Sequence, residues 1–341
     1  MRLLPVAAIL LLVAGCVTPS STTDTGATPP AAAGDAMALA PHVDAAETLA
    51  LLKTFSEAYP YRQSGGPTHA MSRDDLAGQF ESAGLEVVRQ DFESSVFRVV
   101  PLPMQGQNVI GIKWGADREH WIVVGAHYDV TEGAVYGTYD DGSGTILVTK
   151  LAEAFAHVPT NRTIAFIEFD QEERGLIGSA AFVQAVTEGT FDHPVTIDGM
   201  IDLDMVGITW PHPAHLICWE NSAHLESYIA PLANATGMPA ENLEFREPRG
   251  GSSDGASFIA ADIPTAYFWS DWDDVVMADG TPVPQSYPFW HQADTYEGMV
   301  VLAGDEPTLT AGFQTVLDIV SPLLLHMAGG MDLGPVEASG A

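Results

Sequence analysis

Apolar residues recur along the chain in two patterns, one with the spacing of a helix and one in short continuous runs. Between residues 42 and 58 they recur every three or four positions, which places them on one side of a helix. Residues 162–170 form a mostly apolar run, as expected for a strand that is buried on both faces. The same reasoning predicts helices over residues 42–58, 72–84, 142–156, 175–187, 221–236 and 306–329. It predicts strands over residues 85–93, 107–114, 120–129, 162–170, 197–207 and 263–269.

The order of these elements indicates the fold class. Apolar strands that alternate with helices are typical of an α/β fold, in which a mostly parallel sheet is covered by helices on both faces. Ser72 and Gly84 are the expected N-cap and terminator of the second helix. The length of 341 residues is sufficient for one large domain of this class or for two small ones.

The chain is strongly acidic, with 45 acidic and 13 basic residues and a net charge of −32. Such a surface repels nucleic acids and anionic membranes, so we expect no nucleic-acid partner. Most of the charge is expected to be solvated surface, because a few metal ligands account for little of it. The two cysteines, Cys16 and Cys218, are too few for a disulfide framework, and Cys218 is expected to be a buried thiol in a strand.

The first 16 residues have the composition of a targeting segment. Arg2 precedes an apolar stretch that is too short to span a bilayer, and small residues follow it. The ending LVAGC resembles the lipobox of bacterial lipoproteins, which implies a lipid anchor on Cys16. The alternative is an ordinary cleaved secretory signal with an incidental cysteine. By the same resemblance, Val17 in place of aspartate favours the outer membrane, facing the periplasm.

Composition also predicts how the rest of the chain is organised. Residues 17–41 are rich in Thr, Ser, Pro, Ala and Gly, which predicts a flexible tether. Residues 42–330 are predicted to form the catalytic domain, followed by a disordered tail over residues 331–341. We expect a monomer whose contact with the membrane is made through the lipid on Cys16 alone.

Charged residues cluster just after the predicted strand ends. Asp129 follows one strand, Glu172 and Glu173 follow another, and Asp204 lies at the end of a third. Active sites of open α/β sheets form at these carboxyl ends. Asp202 and Asp204 interrupt an apolar strand, and a buried carboxylate without a partner is strongly disfavoured. A metal ion would satisfy them, whereas the three lysines of the chain offer few ion pairs.

The first two polar motifs also have ordinary structural explanations. His127 is a solvated loop histidine in the simpler interpretation, and a metal ligand oriented by Asp129 in the functional one. Asp140 and Asp141 lie in a glycine-rich turn that opens a helix, where one acid is sufficient as an N-cap. The other acid is then either solvated or bound to a metal.

The remaining motifs are ambiguous in the same way. Arg174 is an ordinary ion-pair partner for Glu172 and Glu173, whereas the functional hypothesis makes one glutamate a ligand and the other a proton acceptor. His291, three residues before Asp294 in an aromatic segment, is a loop histidine unless it binds a metal. Together the motifs supply two histidines and at least three carboxylates, sufficient for two zinc sites about 3.5–4 Å apart that share one carboxylate.

The ordered series of motifs resembles the co-catalytic zinc aminopeptidases, a family that includes glutaminyl-peptide cyclases and some carboxypeptidases. The resemblance covers roughly residues 45–325. It rests on HYD at 127–129, DDGSG at 140–144, EERGLIGS at 172–179, Asp204, and HQADT at 291–295. It implies a central mixed sheet between helix layers, two zinc ions, and hydrolysis of peptide substrates at their N-termini.

The resemblance also implies a role for each motif residue. In that scheme His127 and Asp204 hold one zinc, Glu173 and His291 hold the other, Asp140 bridges them, Glu172 is the general base, and Asp129 orients His127. One departure concerns substrate contacts, because Gly255 stands where the family often has a histidine after Ser-Asp.

Other functions on the same fold remain open at this point. The Trp290-His291 pair fits a glutaminyl-peptide cyclase, whereas the DDGSG and EERGLIGS runs fit a peptidase better. A carboxypeptidase and a non-catalytic binding module are further alternatives. A binding module requires the loss of the base or of ligands, and all of these positions are occupied here.

Overall fold

The computed structural model describes residues 37–96, 102–247, 253–271 and 287–329. The predicted signal segment with Cys16, most of the predicted tether, and the predicted tail lie outside the described residues.

A single eight-stranded mixed sheet organises the described part of the chain, in the order β1-β2-β4-β3-β5-β8-β6-β7. The strands are β1 (Glu86–Val96), β2 (Leu102–Lys113), β3 (Asp117–His127), β4 (Arg162–Phe169), β5 (Thr196–Leu203), β6 (His215–Glu220), β7 (Leu243–Arg246) and β8 (Thr265–Asp271). The central strands β4, β3, β5 and β8 are parallel, and antiparallel pairs add β2 on one side and β6 on the other. The predicted mixed, mostly parallel sheet is confirmed.

Helices cover both faces of this sheet, as predicted. They are α1 (Ala45–Ala58), α2 (Pro67–Ser82), α3 (Gly142–Phe155), α4 (Ile177–Glu188), α5 (Ala223–Ala235), α6 (Gly255–Ile259), α7 (Tyr296–Ala303) and α8 (Glu306–Ala328). The alternation along β3 shows why two layers are needed. Ile122 and Val124 belong to one buried cluster, whereas Trp121 and Val123 belong to the cluster on the opposite face.

The predicted start of the second helix was wrong. The helix α2 begins at Pro67 with Gly66 as its N-cap, and Ser72 is a buried interior residue whose hydroxyl donates to the carbonyl of His69 at 3.0 Å. Proline in the first turn lacks only an N–H that has no helical partner, so it begins a helix readily. The predicted terminator Gly84 has a left-handed φ of 87° just beyond the last turn.

The helix α8 is the one described helix that is long and apolar enough to cross a membrane. In its most apolar window, however, 67% of the residues are buried inside the protein. It packs against α1 and α5 and contacts β3 and β4. Its apolar character is therefore explained by its position in the core, and its length is weak evidence for a membrane span.

Candidate metal centre at the carboxyl ends of the strands

The parallel strands bring the predicted site residues to one edge of the sheet. Gly125 of β3 pairs with Ile167 of β4 and with Asp202 of β5, so the three strands end at nearly the same height. His127 is the last residue of β3, and Asp204 follows β5 directly. Glu172 begins a single 3₁₀ turn two residues after Asp170, just beyond β4.

Two groups of side chains with the spacing of metal ligands lie at this edge. The first contains His127, Glu172 and Asp204, whose ligand atoms all lie within 4.8 Å of one another. The Nε2 atom of His127 is 3.8 Å from a carboxylate oxygen of Glu172 and 3.8 Å from one of Asp204. By distance alone, Glu172 is placed either as a ligand or as a base beside the ligands.

The second group contains Asp140, Glu173 and His291. The Nε2 atom of His291 is 3.4 Å from Oδ2 of Asp140 and 3.4 Å from Oε2 of Glu173. The other oxygen of Asp140, Oδ1, is 3.4 Å from Nε2 of His127 in the first group. One carboxylate therefore faces both histidines, which is the geometry of a bridging ligand.

The turn that carries Asp140 is held by contacts on both sides. Asp141 caps α3 by accepting a hydrogen bond from the main-chain N–H of Gly144 at 2.8 Å, as one acid of the pair was expected to do. The buried carboxylate of Asp294 accepts from the main-chain N–H groups of Tyr139 and Asp140, at 2.6 and 3.0 Å. Asp294 thus ties the segment that carries His291 to the turn that carries Asp140.

Asp129 contacts His127 in a different way from the one expected. The Nδ1–H of His127 donates to the main-chain carbonyl of Asp129 at 3.1 Å, and the carboxylate lies farther away, at 3.6 Å. This bond fixes the imidazole tautomer and directs the lone pair of Nε2 towards the carboxylates. The carboxylate of Asp129 accepts instead from the main-chain N–H of Glu172, at 3.0 Å.

Arg62 is a site residue that the sequence did not indicate. Its guanidinium is fully buried and donates to the main-chain carbonyls of Tyr128, Tyr136 and Gly137. Burial lowers the pKa of Arg62 to about 10, so the group stays cationic near neutral pH. It holds the loop between His127 and Asp140. Its partners are carbonyls 66 to 75 residues away, a contact that no local pattern reveals.

The buried acids carry more negative charge than the neighbouring side chains balance. Burial raises the pKa of Glu172 well above its ordinary value, that of Glu173 to about 8 and that of Asp204 to about 6. Burial also disfavours the ionised form of Asp140, but hydrogen bonds from His127 and His291 outweigh it and lower its pKa. Glu172, Glu173 and Asp204 therefore favour a bound cation or a proton, whereas Asp140 favours its ionised form.

The donor set fits zinc. Imidazole nitrogens and carboxylate oxygens are its usual ligands outside cysteine sites. One oxygen of Asp204 is buried and has no hydrogen-bond partner among the described residues, as expected for an atom oriented towards an ion.

A metal ion was one way to satisfy both Asp202 and Asp204, but the carboxylate of Asp202 is directed elsewhere. It accepts from the main-chain N–H of Gly255 at 2.6 Å and belongs to neither group. A Cβ atom on residue 255 would lie 2.8 Å from this carboxylate, so a histidine there requires Asp202 to move. The departure at Gly255 therefore leaves both ligand groups intact.

A cavity of about 430 Å³ opens onto both groups and has aromatic walls. Trp269, Tyr287 and Trp290 line it, and all three belong to the aromatic-rich segment 267–290, part of which lies outside the described residues. Phe289 instead lies against Gly298 of α7. Trp219 of β6 and Tyr267 of β8 also line the cavity.

Comparison with known proteins places this chain among peptidases. A model of peptidase family M28 matches residues 108–299. Aminopeptidase YwaD of Bacillus subtilis (strain 168) is 34% identical over 171 residues, which cover 48% of this chain and 36% of that protein. Leupeptin-inactivating enzyme 1 of Streptomyces exfoliatus is 28% identical over 213 residues, which cover 62% of this chain and 45% of that protein.

Solved structures show the same fold. A zinc aminopeptidase from Bacillus subtilis superposes with a TM-score of 0.66 at 18% identity, covering 87% of this chain and 98% of that one. The glutaminyl cyclase of Fimbriiglobus ruber gives a TM-score of 0.61 at 20% identity, covering 82% and 95%. The chain spans about a third to a half of the length of the curated relatives that it matches.

Proposed function

This chain belongs to peptidase family M28, and from this premise we propose that it is a zinc-dependent aminopeptidase that removes N-terminal residues from peptides. The observation that carries the proposal is the carboxylate of Asp140, which offers one oxygen to each of two ligand groups. The aminopeptidases among the relatives support the choice of reaction.

Five residues would hold two zinc ions in this proposal. His127 and Asp204 would bind the first ion, Glu173 and His291 the second, and Asp140 both. Zinc in such a site polarises a carbonyl group and makes water more acidic.

Glu172 is the general base of the proposed reaction. Its main-chain N–H donates to the carboxylate of Asp129 at 3.0 Å, and its own carboxylate lines the cavity beside Asp140, Glu173 and Asp204. The carboxylate accepts a proton from the attacking water and delivers it to the departing amine. Burial raises its pKa, which suits a group that must both accept and donate a proton near neutral pH.

The cavity also suits the substrate class. Its acidic floor attracts the ammonium group of a peptide N-terminus, and its aromatic walls accept an apolar side chain. We propose that the protein acts in the cell envelope, because its first 16 residues resemble a lipoprotein signal.

A release assay on the purified chain tests this function. The substrates are aminoacyl-nitroanilides and a peptide with an N-terminal glutamine. Each is incubated with the untreated chain, with the chain in the presence of a chelator, and with the chelated chain after zinc is added back. We expect release of free amino acid that the chelator abolishes and zinc restores. Loss of ammonia with a pyroglutamyl product would identify a cyclase instead. If neither reaction occurs, peptides with a free C-terminus test for a carboxypeptidase.

A further inference from the structure

Two side chains outside the ligand groups join the ends of β3 and β4. Ser64 precedes α2, and His69 lies in its first turn. The hydroxyl of Ser64 is 3.2 Å from the carboxylate of Asp129 and 3.3 Å from that of Asp170. The Nε2 atom of His69 is 2.8 Å from the same oxygen of Asp170. We call Ser64 and His69 the strand-end clamp.

The clamp is buried, and its hydrogen bonds are directional. Ser64 is 8% exposed and His69 is 4% exposed. The single hydroxyl hydrogen of Ser64 lies between two carboxylates, so a second donor is needed, and His69 supplies it to Asp170. The imidazole also stacks on the ring of Tyr128, with the ring centres 4.9 Å apart. His69 therefore contacts both strand ends at once.

The two carboxylates that the clamp holds, those of Asp129 and Asp170, are both connected to the segment that carries Glu172. Asp129 accepts from the main-chain N–H of Glu172 at 3.0 Å, and Asp170 lies two residues before it. Gln171 lies between Asp170 and Glu172 and has a left-handed φ of 61°. A residue with a side chain adopts this conformation only when its surroundings impose it. The geometry of this turn therefore depends on tertiary contacts.

We propose that Ser64 and His69 are positioning residues for Glu172, acting through Asp129 and Asp170. The inference rests on the proposed role of Glu172 as the base. Neither clamp residue belongs to a ligand group, so the clamp sets where the base lies without binding the metal. A base displaced by a fraction of an ångström loses rate while substrate binding is retained.

Two substitutions of His69 separate its hydrogen bond from its ring. H69F keeps a ring against Tyr128 and removes the donor to Asp170, whereas H69Q keeps a donor of similar reach and removes the ring. In the zinc-loaded full chain we expect kcat of H69F to fall about 10- to 100-fold, with KM changed less than about twofold. H69Q should retain most of kcat, and both variants should keep the metal content of the parent chain.

S64A and S82A form a second matched pair. Ser82 lies in the last turn of α2, where its hydroxyl donates to the carbonyl of Gly78 on the surface. We expect S64A to lower kcat at constant KM and S82A to leave it unchanged. Wild-type kcat in both H69F and S64A would overturn the proposal, as would equal losses in H69F and H69Q that follow the melting temperature.

Hydrogen exchange tests the clamp independently of any activity. In zinc-loaded H69F we expect faster amide exchange over residues 170–176 than in the parent chain and H69Q, with no change in α8. Unchanged exchange there would overturn the clamp even if the protein is an aminopeptidase. Faster exchange in a chain that releases no amino acid would contradict the proposed function and leave the clamp supported.

Discussion

Asp140 and Asp141 are chemically identical neighbours that have different tasks in the structure. The carboxylate of Asp141 is turned back to the N-terminus of α3, where it accepts from Gly144. The carboxylate of Asp140 faces His127 with one oxygen and His291 with the other. The sequence showed that only one acid was needed as a cap, and the family resemblance pointed to Asp140 as the bridge. The course of the turn decides which carboxylate meets both ligand groups.

The first prediction concerns Glu172. E172Q keeps the size of the side chain and removes the proton acceptor, so we expect kcat to fall by about 10²–10⁴-fold. The zinc content should stay at the level of the parent chain, because the proposed ligands are untouched. Metal analysis alongside the release assay measures both quantities.

E132Q is the matched control for this substitution. Glu132 lies on an exposed turn outside both ligand groups, so the activity of the E132Q variant should equal that of the parent chain. An active E172Q would assign the base to another residue. Loss of metal from E172Q would make Glu172 a ligand, as its distance to His127 also permits.

At the scale of elements, the site depends on how closely α3 approaches the end of β5. Gly144, in the first turn of α3, lies so near that an added Cβ atom would be 2.1 Å from the main-chain carbonyl oxygen of Leu203. The DDGSG segment therefore needs glycine at this position for packing, in addition to any chemistry of its acids. The contact also places Asp140 next to Asp204, which follows Leu203 directly.

The second prediction is that G144A and G78A have opposite effects. G144A must push α3 away from β5, so we expect it to destabilise the fold by more than about 2 kcal/mol and to weaken zinc binding. At residue 78 of α2, an added methyl group would meet no atom within 4 Å apart from its chain neighbours and the backbone of its own helix. It should stabilise the protein by roughly 0.5–1 kcal/mol, because alanine favours a helix more than glycine.

Denaturant unfolding of the two variants with and without zinc measures both effects. A G144A protein with the stability and zinc affinity of the parent would show that α3 is not held at this distance in solution. A destabilised G78A would show that residue 78 of α2 is not helical, or has no open space beside it, in solution.

At the scale of the whole molecule, the acidic centre couples stability to pH and to zinc. Burial raises the pKa of Glu173 to about 8, that of Asp204 to about 6, and those of Asp254 and Asp294 to about 7. In the unfolded chain these acids titrate near their ordinary values of 3.8 to 4.5. The folded, metal-free protein therefore binds more protons than the unfolded chain between about pH 4 and 8.

The third prediction follows from this excess of bound protons in the folded, metal-free protein. Because the folded state binds the extra protons, the stability of the metal-free protein falls as the pH rises from about 4 to 8. Zinc binds the ionised ligands, so its affinity rises over the same range. We expect the increase in melting temperature caused by zinc to be small near pH 5 and large near pH 8.

Thermal melts with chelator and with excess zinc at several pH values test this coupling. A zinc effect that does not vary with pH would mean that the ligand acids are already ionised in the metal-free protein. A metal-free protein that gains stability as the pH rises to 8 would contradict the burial of these acids.

Much of the architecture followed from the sequence because its signals are local. The continuous apolar run of β4 indicates a strand buried on both faces, and the helical spacing of α1 indicates a helix buried on one side. The fold class follows from the alternation of such strands and helices along the chain. The positions of Asp129, Glu172 and Asp204 after strand ends also predicted that they would meet, since parallel strands end at one edge. Helix starts were less certain, as the displaced start of α2 shows, because several residues near a boundary can act as caps.

Only the tertiary structure decided which groups touch. Three contacts join residues that are at least 53 positions apart in the sequence. Asp202 accepts from the main chain of Gly255, Arg62 donates to main-chain carbonyls, and His69 donates to Asp170. Asp202 and Arg62 bind main-chain groups, which leave no trace in the identity of the residue that bears them. His69 and Asp170 meet through their side chains, but 101 positions separate them and no local pattern joins them. The sequence determined which chemistry the site has available, and the packing of α2, α3 and the strand ends determined where each group lies.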